Sequence, residues 1–143
     1  TRHHPTGHGK VCLSILGTWS GPKWTSVMDT STVLLTIQSL LDKKPLLHEP
    51  GVSNEDYINN FNKIIEHESI KTLFIRNSFD IPDGFEIFKE QIKENYKSNS
   101  EKIYDKIQKK IDIKSNIKLG MYALDYKIDY RSLKDTFIEN SKI

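Results

Sequence analysis

The stretch Gly9-Lys10-Val11-Cys12-Leu13-Ser14-Ile15-Leu16-Gly17-Thr18-Trp19 contains the only cysteine of this chain of 143 residues. A thiol between Val11 and Leu13 allows two interpretations. Cysteine outside disulfides is among the residue types most often buried, so composition alone favours a small core residue in a strand. An accessible thiol can instead act as a nucleophile. The residues on either side of Cys12 favour the nucleophile.

A His-Pro pair precedes the cysteine, and two tryptophans follow it. His4-Pro5 comes first, then the segment GKVCLSILGTW, then Gly21-Pro22-Lys23-Trp24 and the later string TVLLTIQSLL. Together these motifs resemble the active-site region of the ubiquitin-conjugating enzymes. The sequences of these motifs are most similar to the catalytic domains of the very large family members that combine conjugating and ligase functions in one polypeptide.

The resemblance implies that Cys12 carries ubiquitin or a ubiquitin-like modifier as a glycyl thioester, which a lysine amine later displaces. Cysteine suits both steps because a thiolate is strongly nucleophilic near neutral pH and is also a good leaving group. The implied partners are the modifier, the activating enzyme and a ubiquitin ligase. No cofactor is expected, since the activating enzyme and not this domain uses ATP.

Thr6 stands where the family has an asparagine after the His-Pro pair. In the family that asparagine supports the oxyanion formed when lysine attacks the thioester, so Thr6 is the candidate for the oxyanion position. A hydroxyl donates one hydrogen bond but lacks the reach of an amide. The alternative function is therefore a catalytically impaired domain that binds ubiquitin or a ligase without transfer. The intact Cys12 segment favours the active enzyme.

Glu55 and Asp56 are the candidates for lysine activation. The family has an acidic or polar residue just before its third helix, and the attacking amine must lose its charge. These two carboxylates are the nearest match in the sequence. They equally fit a capping sequence, Ser53 to Asp56, because acidic residues in the first turn of a helix are favoured by its dipole. Both interpretations stay open at this point.

Charge and hydropathy exclude several other classes of protein. The chain has 21 basic and 19 acidic residues, interspersed, for a net charge of +2, which gives no basic field for nucleic acid. No apolar run approaches the roughly 18 residues of a membrane span. A single cysteine excludes an internal disulfide framework. We therefore expect no nucleic-acid or membrane partner and a location in the cytoplasm, the nucleus or both.

A metal-binding module is a remote alternative. Three histidines precede the cysteine at short spacing: His3, His4 and His8. His4, His8 and Cys12 are spaced by four residues, which would suit one face of a helix, but Pro5, Gly7 and Gly9 disfavour a helix there. A closed zinc site would also need a fourth ligand with no obvious candidate. We expect no metal, and we expect His48 and His67 to be solvent-facing or satisfied polar residues and not catalytic bases.

The predicted fold is α+β and ubiquitin-conjugating-enzyme-like. By comparison with the family, its N-terminal helix and strand meander would precede Thr1, so this fragment is expected to be mostly helical. Residues 1–96 are predicted to be the C-terminal two-thirds of the domain, and residues 97–143 a helical extension of unknown role. Apolar periodicity predicts helices near 30–42, 53–75, 84–96 and 100–113, and a short one after 131.

Trp19, Trp24 and the helix from Ser31 to Leu41 are predicted to form the wall behind Cys12. Trp24 resembles the tryptophan that follows the active-site segment in the family. If its ring is fully buried, Trp24→Ala should cost roughly 3–5 kcal/mol of stability.

Overall fold

The computed structural model describes residues 11–49, 51–81, 83–120 and 123–141. The chain divides into two compact units, Thr1–Asn62 and Lys63–Ile143. The described residues form five α-helices, short 3₁₀ and π-helical segments and one two-stranded antiparallel sheet. The prediction of an α+β, mostly helical chain is therefore confirmed. None of the helices in these ranges is long and apolar enough to cross a membrane.

The first unit contains α1 (Thr30–Ser39) and most of α2 (Glu55–Glu68), with 3₁₀ turns at Ser14–Leu16 and Pro45–His48. A capping box starts α1: the Asp29 carboxylate accepts from the Thr32 backbone N–H at 2.9 Å, and the Thr32 hydroxyl accepts from the Asp29 N–H at 3.3 Å. This helix confirms the prediction near 30–42.

The helix predicted over 53–75 is present, but it extends to Phe79 and changes from α-helix to π-helix and back. Beyond Glu68, α2 continues as a π-helical segment, Ser69–Arg76, and then as a last α-helical turn, α3 (Asn77–Phe79). Ile70 and Ile75 lie five residues apart and are both buried. That spacing matches the i to i+5 hydrogen bonding of a π-helix, so the winding directs both side chains inward.

The two helices predicted at 84–96 and 100–113 are one helix, α4 (Lys89–Gln108), preceded by a 3₁₀ turn at Glu86–Phe88. The predicted break between them is wrong. The Ser100 hydroxyl donates to the Tyr96 carbonyl, and the Asn99 amide donates to the Asn95 carbonyl at 2.9 Å. Because these side chains bond back to the preceding turn, they continue the helix and do not cap a new one.

A β-hairpin follows α4, in a region for which the sequence predicted a helical extension. Strands β1 (Lys114–Leu119) and β2 (Leu124–Asp129) pair antiparallel, with Lys114 opposite Asp129 and Ile117 opposite Tyr126. The extension is helical only on either side of this hairpin, so the prediction of a helical extension is corrected for the two strands. The predicted domain boundary at 96/97 falls inside α4, while the boundary between compact units falls at 62/63.

The last helix, α5 (Tyr130–Asn140), confirms the prediction of a short helix after 131. Asp129 caps it by accepting from the Ser132 N–H at 3.1 Å. The core of the second unit includes Ile107, Ile128 and Ile75, none more than 1% exposed. Beside it the rings of Phe74, Tyr96 and Phe137 are stacked, with Tyr96 5.0 Å from Phe74 and 6.0 Å from Phe137.

The prediction that Trp24 and α1 are buried as a wall behind Cys12 is wrong. Trp24 is 47% exposed, and Leu34 and Leu35 of α1 are more than 60% exposed. No residue of α1 is fully buried. Apolar periodicity identifies a face that favours burial, but it does not say against which residues the face packs.

We expect Trp24→Ala to cost roughly 2 kcal/mol or less, because about half of the ring already contacts solvent. Leu46→Ala is the matched control in the same unit: Leu46 is 1% exposed and should cost about 2–5 kcal/mol. Denaturant unfolding of both variants gives the comparison. A cost for Trp24→Ala equal to that of Leu46→Ala would contradict the exposed position of the ring.

Candidate active site around Cys12

Cys12 is half-buried and lies directly before a short ordered turn. The next residue, Leu13, is extended and only 3% exposed, and Ile15, within the 3₁₀ turn Ser14–Leu16, is 8% exposed. Burying two apolar side chains within three residues of the thiol fixes the path of the backbone on its C-terminal side. Cys12 as a residue remains partly exposed, which is compatible with a nucleophile.

The turn is closed by bonds between Leu13 and Thr18. The Leu13 N–H donates to the Thr18 hydroxyl at 2.9 Å, and this hydroxyl donates back to the Leu13 carbonyl at 3.2 Å. The Thr18 N–H also donates to that carbonyl, at 3.1 Å. Gly17 closes the turn at φ +70°, in the left-handed region that glycine adopts without strain. Thr18 thus provides hydrogen-bond partners for both the backbone N–H and the carbonyl of Leu13, the residue next to Cys12.

The chain returns against this turn at Gly21. A Cβ at this position would lie 3.0 Å from the Ser14 Cβ, and the backbone has φ +132°. Both facts favour glycine, since any side chain would push the returning loop away from the turn. The Gly-Pro-Lys-Trp motif that follows the active-site segment therefore has a packing reason for its glycine.

Thr18→Val is expected to lower the free energy of unfolding of the first unit by about 1–2 kcal/mol. Valine keeps the shape of threonine but leaves the Leu13 N–H without its 2.9 Å acceptor. Thr18→Ser keeps the hydroxyl and should stay within about 0.5 kcal/mol of the wild type. Denaturant unfolding measures both variants, and equal stabilities for valine and serine would show that the hydroxyl bonds do not hold the turn.

The two candidate acidic residues, Glu55 and Asp56, are exposed in the first turn of α2. The Asn54 side chain caps this helix by accepting from the Tyr57 N–H at 3.0 Å. Glu55 forms an ion pair with Lys44 at 3.2 Å, and both side chains are largely exposed, so this pair adds little stability. These positions fit the helix-dipole interpretation, and a role in lysine activation stays a prediction.

The loop before α2 is attached to that helix. The Asn62 amide donates to the Lys43 carbonyl at 3.1 Å, and the His48 imidazole lies 3.0 Å from the Asp42 carboxylate. His48 is therefore a hydrogen-bonded polar residue, as predicted. These contacts fix residues 42–48 beside the helix that carries Glu55 and Asp56.

Thr6 and the three early histidines, His3, His4 and His8, lie outside the described residues, so the oxyanion prediction and the metal prediction stay predictions there. Within the ranges that the structure describes, no group of three His, Cys, Asp or Glu side chains could hold a metal ion.

His67 is buried at 5% exposure and is a satisfied polar residue, as predicted. One ring nitrogen lies 2.8 Å from the Tyr126 hydroxyl, and the other accepts from the Asp129 backbone N–H at 3.3 Å. These partners were not predicted from the sequence, because they lie about 60 residues further along the chain, in the β1–β2 hairpin. The alternation Leu124, Tyr126, Ile128 was the available signal.

Comparisons with known proteins show which protein family the segment around Cys12 resembles. Residues 2–68, just under half of the chain, match the family model "Ubiquitin-conjugating enzyme". This match confirms the resemblance to the ubiquitin-conjugating enzymes and the ubiquitin-conjugating-like assignment of the α+β fold.

Among curated proteins, the chain is similar to "Ubiquitin-conjugating enzyme E2 Z" of Xenopus tropicalis and of Homo sapiens. Each is 48% identical over 67 residues, covering 45% of this chain and 21% or 19% of the relative. It is also 38% identical over 95 residues to "Probable ubiquitin-conjugating enzyme protein 17" of Caenorhabditis elegans, covering 59% of this chain and 13% of the relative. The chain thus spans about a fifth or less of the length of these relatives. The closer likeness to the very large hybrid enzymes stays a prediction.

Proposed function

We propose that this chain carries ubiquitin or a ubiquitin-like modifier as a thioester on Cys12 and transfers it to a lysine. The observation that carries the proposal is the partly exposed cysteine immediately before the anchored Leu13 turn. The family match over residues 2–68 supports it, because that match includes this turn.

The first step is a transthiolation. The Cys12 thiolate attacks the carbonyl carbon of a modifier held as a thioester by an activating enzyme. A new C–S bond forms at Cys12, and the bond to the activating enzyme's sulfur breaks, releasing that sulfur as a thiolate. Because one thioester replaces another, ATP is needed only upstream, by the activating enzyme, and no cofactor is required on this chain.

The second step is an aminolysis. An uncharged lysine amine attacks the thioester carbonyl, the Cys12 sulfur leaves, and the nitrogen loses a proton as the amide forms. The amine must first lose its charge, and a nearby carboxylate can take that proton as a general base. Asp56 and Glu55 are the proposed groups, because both carboxylates are exposed in the first turn of α2.

The proposed partners are the modifier, an activating enzyme and a ubiquitin ligase, in the cytoplasm, the nucleus or both. A second candidate function rests on Thr6, which stands in place of the family's asparagine. In this second function the chain would be a catalytically impaired domain that binds ubiquitin or a ligase without transferring the modifier.

The test is to incubate the full-length protein with ATP, activating enzyme and ubiquitin, and to separate the products on non-reducing and reducing gels. An adduct that a thiol reductant removes supports the thioester, and addition of free lysine then distinguishes transfer from retention. Failure to form the adduct, with a known conjugating enzyme charged in parallel, would overturn the proposal.

A further inference from the structure

The buried imidazole of His67 connects three elements of the second unit. His67 lies at the end of α2, Tyr126 lies on β2, and Asp129 lies at the junction of β2 and α5. The Nδ1 atom of His67 is 2.8 Å from the Tyr126 hydroxyl, and its Nε2 is 3.3 Å from the Asp129 backbone nitrogen. Both ring nitrogens are therefore engaged in a site that is 5% exposed.

The backbone contact determines the protonation state of the ring. A backbone N–H can only donate, so Nε2 must be the unprotonated acceptor, and the neutral imidazole carries its proton on Nδ1. Nδ1 then donates to the Tyr126 oxygen, and the Tyr126 hydroxyl donates onward to the Glu68 carboxylate. The chain of donors runs in one direction from Asp129 to Glu68.

Charged and titratable groups surround the ring on both sides. Glu68 and Lys71 lie on the helical side, with Lys71 3.9 Å from the Glu68 carboxylate. Asp129 lies on the hairpin side and pairs with Lys114 at 3.2 Å and Lys127 at 3.9 Å.

Two tyrosines complete the surroundings of His67. Tyr126 and Tyr130 contact the ring edge-on, at centroid distances of 5.7 and 5.1 Å. Burial, with the nearby Glu66 carboxylate, raises the pKa of Tyr130 to about 12. Burial and the Glu68 carboxylate likewise raise the pKa of Tyr126. Neither tyrosine ionises near neutral pH, so the histidine is the group that can titrate there.

We propose that His67 is a proton-sensitive latch that fastens the β2–α5 junction to α2 and opens on mild acidification. A proton on Nε2 would place two donors, Nε2–H and the Asp129 N–H, against each other at 3.3 Å. The imidazolium would also be a charge in a site that is almost fully covered. The junction must then move away or admit water.

The pKa shifts of His67 and Glu68 agree with opening of the latch on acidification. Burial lowers the pKa of His67, and the nearby Glu68 and Asp129 carboxylates partly oppose this shift. A lowered folded-state pKa means that the latch stabilises fully above the ordinary value of about 6.5 and is lost as pH falls below it. For Glu68, burial opposes ionisation, but hydrogen bonds from Thr72 and Tyr126 outweigh it and lower the pKa. Glu68 therefore remains an acceptor while His67 titrates.

The test is amide hydrogen exchange of the hairpin at pH 7.5 and pH 5.5, corrected for the intrinsic pH dependence of exchange. In the wild type the opening equilibrium constant of β2 and the Asp129 amide should rise severalfold, by at most about tenfold per pH unit for one proton. His67→Gln supplies an acceptor and a donor that do not titrate, so its hairpin should open equally at both pH values. His48→Gln, on the exposed His48–Asp42 pair, is the matched control and should behave as wild type.

A direct titration keeps the proposal testable if His67→Gln does not fold. In the wild type, the His67 ring and Asp129 amide resonances should shift with one common midpoint below about 6.5. A midpoint at or above the ordinary histidine value would overturn the latch. So would hairpin exchange that is independent of pH in the wild type, or a pH-dependent loss that persists in His67→Gln.

Discussion

Cys12→Ala is expected to abolish the adduct with ubiquitin completely, and Cys12→Ser to replace it with one that resists reductant. Alanine removes the only thiol of the chain, so no thioester can form. A serine oxygen can accept the acyl group, but the resulting ester is not cleaved by thiols and its alkoxide leaves less readily than a thiolate. Comparing wild type and both variants on non-reducing and reducing gels gives the result.

The control for the Cys12 variants is Ser20→Ala, at an exposed position just beyond the turn. It should charge as fast as wild type, since the contacts between Leu13 and Thr18 remain. An equal amount of adduct in Cys12→Ala would show that the acyl group is carried elsewhere, and it would remove Cys12 from the site.

The sequence predicted those helices that carry their own local signals. For α1, α2 and α5, an apolar period coincides with a capping side chain at Asp29, Asn54 or Asp129. Caps and period are both encoded within a few residues, so these helices could be located without knowledge of the rest of the chain.

The hairpin was missed because its strands carry weak local signals. In β1 only Ile117 and Leu119 are buried, and lysine, serine and asparagine occupy the exposed positions. β2 does alternate, but its burial depends on pairing with β1 and on contacts with residues about 60 positions away, such as His67. Such long-range pairing is a property of the fold and not of a short window of sequence.

The features of the candidate site that depend on local sequence were predicted, and those that depend on distant residues were not. The motif around Cys12 is contiguous, so it could be recognised, and the bonds from Thr18 act over only five residues. The exposure of Trp24 and the partners of His67 depend on what the rest of the chain brings to them. Residue type alone favours burial for tryptophan and leaves histidine undecided.

Thr6→Asn is expected to speed discharge of the thioester onto free lysine while leaving the rate of charging unchanged. Charging exchanges one thioester for another, whereas aminolysis builds negative charge on the carbonyl oxygen as the amine attacks. An asparagine amide at the oxyanion position would stabilise that charge better than the hydroxyl of Thr6. One oxyanion donor is worth about 10²–10³ in rate, and because a threonine hydroxyl can itself donate one bond, we expect a gain of about 10- to 100-fold.

Thr6→Ser is the matched control for that gain, because it keeps a hydroxyl and adds no amide. Single-turnover discharge of the preformed thioester should be as slow in Thr6→Ser as in wild type, and faster only in Thr6→Asn. If both variants discharge at the wild-type rate, Thr6 does not occupy the oxyanion position, and slow transfer would need another cause. If wild type already discharges as fast as a known active conjugating enzyme run in parallel, the threonine does not impair transfer. The active-enzyme interpretation would then be favoured over the binding domain.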